Sequence, residues 1–142
     1  MATDVAQIEQ LLVRYCHRLD RGTAKEVAEL FAEDGAMIPA YESAEPVRGR
    51  ETISAWYERY ISDSRSTMTN LKHMPMAIQV DVANDAAAAV AYFTAMFVKN
   101  GQFIQAFGTY TDKLVRVRGA WLFAEHRIET DLVLPGVPIS SP

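Results

Sequence analysis

Residues 86–99 read AAAAVAYFTAMFVK, and whether they form a helix or a strand decides the fold. The alanines favour a helix on propensity alone. The stretch is nevertheless bounded by Asn84-Asp85 and Asn100-Gly101, dipeptides suited to tight turns, and Val90, Tyr92, Phe93, Thr94, Phe97 and Val98 are β-branched or aromatic. A strand is therefore predicted. Working outward, Leu71 to Val82, Gln102 to Val117 and Ala120 to Leu134 have the same character, with Arg118-Gly119 as a third turn. The result is four long antiparallel strands in meander order. Both faces carry apolar residues, as in Tyr92 and Met96 against Phe93 and Phe97, so both need cover.

The N-terminal half supplies helices for one face. Val5, Ile8, Leu11, Leu12, Tyr15, Cys16 and Leu19 recur at three- and four-residue spacing, which predicts a helix from about Asp4 to Leu19 or Asp20, with Gly22 as a left-handed stop. Thr23 and Glu26 have the spacing of a capping box, and Val27, Leu30 and Phe31 give the second helix its apolar stripe. Ala36 to Tyr41 reads as a short strand. After a polar loop, Ile53, Trp56, Tyr57, Tyr60 and Ile61 predict a third helix from Arg50 to Ser62, and a loop follows to Asn70. Three helices cover one face of the sheet; a second copy of the chain is expected on the other, making a homodimer. Residues 1–134 form one domain in this reading. Residues 135–142, with three prolines, form an extended tail, disordered or draped over a neighbour.

Composition excludes several classes. With 49% hydrophobic and 23% charged residues the chain is ordinary for a soluble globular domain, and a net charge of −4 gives no footprint for nucleic acid or an anionic membrane. The apolar run from Ala86 to Val98 is shorter than the roughly 20 residues a membrane helix needs. One cysteine, Cys16, cannot form an internal disulfide, and Met-Ala-Thr-Asp at the start lacks a signal-peptide pattern, so a cytoplasmic protein is expected. Three histidines without paired spacing give no zinc motif, and there is no phosphate loop or nucleophile elbow. No metal or organic cofactor is expected.

Two residues stand out for chemistry. Asp20 falls at the margin of the first helix's apolar face, in a last turn where an anion opposes the helix dipole, so helix stability does not explain it. His73 begins a strand beside Pro75. A histidine is the natural base near neutral pH, and a carboxylate on its other nitrogen fixes the tautomer. Read alone, Asp20 serves equally well as a carboxylate capping the amides of Arg21 to Thr23, and His73 as a satisfied edge histidine. His126 reads as an ordinary sheet residue between Glu125 and Arg127, His17 as solvent-exposed, and Trp121 as packing.

The order helix, helix, short strand, helix, long antiparallel sheet resembles the α+β, cone-shaped fold of nuclear transport factor 2 and ketosteroid isomerase, also called cystatin-like. Within it the chain resembles the SnoaL-like group, with scytalone dehydratase, bile-acid dehydratase and hexachlorocyclohexane dehydrochlorinase. The resemblance rests on Tyr15 with Leu19-Asp20, Phe31 to Gly35, Arg48-Gly49-Arg50-Glu51, His73-Met74-Pro75, Gly108-Thr109-Tyr110-Thr111-Asp112 and Gly119-Ala120-Trp121. It implies three helices packed on a curved antiparallel sheet, Asp20 and His73 as an acid/base dyad, and Tyr15 in the pocket. His126 falls where the dehydrochlorinase has a pocket arginine. Scytalone dehydratase's second histidine is absent, its nearest counterpart being about Lys99, and its serine and asparagine are replaced by Gly108 and Tyr110.

The expected pocket is apolar, lined by Met37, Trp56, Phe93 and Phe107, and suited to a small hydrophobic cyclic or aromatic molecule. Tyr15 or Tyr110 would hydrogen-bond a developing oxyanion. A cofactor-independent, dehydratase-like lyase leads; an isomerase of the ketosteroid type, a non-catalytic binding or assembly module, and a small subunit like those of aromatic-ring dioxygenases are the alternatives.

Overall fold

The computed structural model describes residues 2–140. Helix α1 (Asp4–Arg21) starts at Thr3, whose hydroxyl accepts the Ala6 N–H at 3.1 Å. It buries Ile8, Leu11, Leu12, Tyr15, Cys16 and Leu19, while Val5 stays exposed. Gly22 ends the helix in extended rather than left-handed backbone (φ −86°, ψ −178°). Its glycine is required for space: a Cβ there would lie 2.8 Å from the Arg18 carbonyl oxygen.

Helix α2 (Ala24–Ala28) has the predicted capping box between Thr23 and Glu26, but ends earlier than its apolar stripe implied. Phe31 instead opens strand β1 (Phe31–Pro39), longer than the predicted strand at 36–41. The reason is long-range. The Phe123 N–H donates to the Leu30 carbonyl at 2.9 Å, and the Phe31 ring packs on Phe123, pulling the chain out of the helix. A two-residue strand β2 (Val47–Arg48), helix α3 (Arg50–Asp63) and a 3-10 turn (Arg65–Thr67) follow.

The meander is as predicted: β3 (Thr69–Ala83), β4 (Ala86–Lys99), β5 (Gln102–Val117) and β6 (Ala120–Pro138). The six strands lie in the order β2-β1-β6-β5-β4-β3. Strand β1 runs parallel to β6, so the sheet is mixed and not purely antiparallel as expected. β6 also takes in part of the predicted tail, pairing Val137 with Phe103 and Pro138 with Gln102. Beyond Ile128 it has no β1 partner, and a proline's missing N–H is tolerated on such an edge. Of the predicted tail, residues 141 and 142 lie outside the described residues.

One face of the sheet meets α1 and α3 and forms the core. It contributes Ala89, Ala91, Phe93 and Ala95 from β4, Tyr110 and Leu114 from β5, and Trp121, Phe123 and Ile128 from β6. The other face exposes Met74, Met76, Tyr92 and Leu132. No helix of the described residues is long and apolar enough to cross a membrane.

Candidate active site

Strand β3 lies at the edge of the sheet, so main-chain N–H groups on its free side need partners. Asp20, in the last turn of α1, supplies one. Its carboxylate accepts the His73 main-chain N–H at 2.9 and 3.2 Å and faces His73 Nδ1 at 2.6 Å. These contacts answer the unfavourable placement of an anion at a helix C-terminus. They also hold the imidazole with Nδ1 occupied, so that Nε2 is the nitrogen available as a base. The His73 side chain is 12% exposed and Asp20 7%, which leaves the ring reachable and puts the carboxylate behind it.

The ring stands at the wall of a cavity of about 260 Å³ between α1, α3 and the inner face of the sheet. Its lining includes no Lys, Arg, Asp or Glu; the polar side chains are His73, five tyrosines, Trp56 through its indole N–H, Ser64 and Thr130. Tyr15 and Tyr57 stand hydroxyl to hydroxyl at 2.6 Å. One donates to the other, which leaves one O–H free for a ligand. Burial, reinforced by neighbouring phenols, holds Tyr15 and Tyr110 well above the usual tyrosine range; burial also raises Tyr57, and pushes Tyr60 to about 12. These phenols therefore stay protonated and act as neutral donors. Among the described residues no group of three or more His, Cys, Asp or Glu is placed to hold a metal ion.

Of the residues singled out in the sequence, Tyr15, Trp56, His73, Phe93 and Tyr110 line this cavity. Met37, Phe107 and His126 do not. Met37 is fully buried in β1, between Val47 and His126. Phe107 is opposite Thr94, on the outer face, because the β4–β5 register sets Phe93 against Gly108. A Cβ at Gly108 would come within 2.3 Å of the Phe93 ring, so this glycine lets Phe93 stack on Tyr110 at 4.2 Å. His126 is in the core, hydrogen-bonded through Nδ1 to Asp112 directly across the strand pair, with neither side chain exposed. Neither His126 Nε2 nor Asp112 Oδ2 has a partner.

Residues 1–127 match the SnoaL-like domain. The chain belongs to the SnoaL-like family. No curated protein matches the sequence. Among solved structures, this SnoaL-like chain is similar to a protein of unknown function from Mycobacterium tuberculosis, at 21% identity and a TM-score of 0.80 over 90% of this chain and 72% of the other. A candidate scytalone dehydratase from Novosphingobium aromaticivorans is 23% identical, with a TM-score of 0.76 over 96% and 93% of the two chains. A type 2 hexachlorocyclohexane dehydrochlorinase is 17% identical, with a TM-score of 0.76 over 96% and 93%. At these identities the likeness is one of fold.

The sequence does not reveal the roles of Tyr57, in the cavity wall of this SnoaL-like chain, and Asp112, in the core behind it. Tyr57 was absorbed into the apolar stripe of α3, although a phenol there needs a partner and Tyr15 is its partner. Asp112 lies two residues after Tyr110 on one strand, so both share the inner face, where a carboxylate is costly without a partner.

Proposed function

We propose that the protein is a cofactor-independent lyase of the dehydratase type, acting on a small hydrophobic cyclic or aromatic substrate inside a sheet that wraps the cavity as a cone. The observation that carries this reading is the Asp20–His73 contact of 2.6 Å at the wall of a cavity whose lining is otherwise uncharged. His73 Nε2 takes a proton from a carbon next to a carbonyl, and the C–H electron pair moves onto the carbonyl oxygen as an enolate. Tyr15, backed by Tyr57, or Tyr110 donates a hydrogen bond to that oxygen, and in a lining without Lys, Arg, Asp or Glu the bond counts for more than it would in solution. The enolate then expels hydroxide from the neighbouring carbon as the C–O bond breaks. The proton held by His73 leaves with it as water. Asp20 stabilises the imidazolium throughout. Returning the proton to a different carbon would make the same site an isomerase, so the two chemistries share their first step.

A panel of hydroxylated cyclic ketones, followed by loss of water, tests the reading. Wild-type protein turns over at least one member, and His73→Ala and Asp20→Asn abolish turnover while retaining binding. Equal turnover in those variants would remove Asp20 and His73 from the chemistry, and saturable binding with no turnover in the wild type would replace the lyase with a binding module. The apolar outer face, with Tyr92 and Leu132 more than half exposed, supports a homodimer through that face. A monomer in sedimentation at micromolar concentration would overturn that part.

A further inference from the structure

Asp112 and His126 form a second histidine–carboxylate pair, and no step of the proposed reaction uses it. Both side chains are fully buried, on neighbouring strands, and the one bond between them leaves His126 Nε2 and Asp112 Oδ2 without partners. Such a pair is poor material for stability alone, since apolar residues of similar volume commonly do as well or better. What it touches is informative. The Tyr15 ring lies 4.4 Å from the imidazole, centroid to centroid, in an edge-on arrangement, and the Tyr110 ring lies 4.8 Å away, tilted. Both tyrosines also line the cavity, and Tyr15 bears the hydroxyl that meets Tyr57. Phe123 closes a third side of the imidazole at 4.6 Å.

We propose that Asp112 and His126 are a positioning pair: Asp112 locks the plane of the imidazole, and the imidazole sets the Tyr15 and Tyr110 rings and so aims their hydroxyls into the cavity. The proposal rests on the reading above that these phenols serve the developing oxyanion. The physical reason for a hydrogen-bonded imidazole in place of a phenylalanine is orientation. An apolar ring of similar size fills the volume but has nothing to fix its rotation, whereas Nδ1 bonded to Asp112 defines one plane. Neither residue touches the ligand, so neither is a catalytic group.

The test needs no substrate. Protein labelled at tyrosine 13Cζ reports each phenol separately, with Tyr15 and Tyr110 assigned from the Tyr15→Phe and Tyr110→Phe spectra. Two variants are compared with wild type: Asp112→Asn, whose amide oxygen still accepts Nδ1–H, and the double variant Asp112→Leu/His126→Phe, which keeps an aromatic ring and removes both orphaned atoms. The proposal predicts a single sharp Tyr15 resonance in wild type and Asp112→Asn, and a shifted or exchange-broadened one in the double variant. Affinity for 2-naphthol, a bicyclic phenol probe, falls about tenfold in the double variant only, the factor corresponding to about 1.4 kcal/mol. Unchanged Tyr15 and Tyr110 resonances in a folded double variant overturn the positioning role, whatever happens to turnover. If the double variant does not fold, Asp112→Leu, which keeps the imidazole and removes its bond, is read in its place: a shifted or broadened Tyr15 resonance is expected, and unchanged Tyr15 and Tyr110 resonances overturn the role. Absence of turnover in every protein, with the spectral pattern as predicted, would remove the lyase reading and leave the pair's effect on the phenols intact.

Discussion

The two histidine–carboxylate pairs of this molecule are chemically alike and differently placed. In Asp20–His73 the carboxylate also takes a main-chain N–H from an edge strand, and the ring faces a cavity; in Asp112–His126 both side chains are sealed in the core. The first pair has its needs met by the protein and a nitrogen to spare for a ligand. The second has two atoms with no partner and nowhere to send a proton. A base must exchange protons with something, so reachability, and not the presence of the pair, separates a candidate acid/base dyad from a structural one.

The sharpest way to break this comparison is to remove each histidine. His73→Ala should lower turnover by roughly 10³-fold with little change in thermal stability, since a positioned general base typically contributes about 10²–10⁴. His126→Ala or Asp112→Ala should do the reverse at the level of the fold, costing about 3–5 kcal/mol by stranding a buried partner, as chemical denaturation would record. Asp112→Leu/His126→Phe should recover most of that loss. Tyr15→Phe should reduce turnover by about 10²-fold, in the range seen for removing one oxyanion donor, and Tyr57→Phe by less, because it acts through Tyr15.

The smallest effect concerns pH. Burial raises the Asp112 carboxyl, with His126 opposing the shift, so the folded state keeps a proton that the unfolded chain releases. That penalty is absent below the ordinary carboxylate range, grows as pH rises through it and is complete above the folded value. Stability of wild type relative to the Asp112→Leu/His126→Phe variant should therefore improve as the pH is lowered from neutral into the acid range. Urea titrations at several pH values would show it.

How much of this was legible in the sequence depended on the range of the interaction. Strands β4 and β5 have the boundaries their flanking turn dipeptides predict, because a tight turn is local chemistry. Phe31 has the spacing of a helical stripe and became a strand residue because of Phe123, far along the chain. The outward face of Phe107 could have been read from the turn, since pairing Lys99 with Gln102 carries through to Phe93 with Gly108. The Asp112–His126 pair could not. The Arg118-Gly119 turn pairs Val117 with Ala120, and an unbroken ladder from there would set Asp112 against Glu125; a one-residue shift between Lys113 and Leu114 brings His126 opposite instead. The pairing of Asp20 with His73 came from family resemblance, as no periodicity links a helix end to the start of a strand 53 residues further on.

The central claim is that His73, held by Asp20, removes a proton from carbon next to a carbonyl, and it can be measured without knowing the natural substrate. We would incubate the protein with 2-tetralone, a neutral bicyclic ketone, in deuterated buffer and follow deuterium entering the carbons beside the carbonyl by proton NMR. The account predicts exchange well above the buffer rate with wild type, lost in His73→Ala and strongly reduced in Asp20→Asn. Exchange at the buffer rate despite saturable binding of the ketone, or exchange unchanged in His73→Ala, would contradict it.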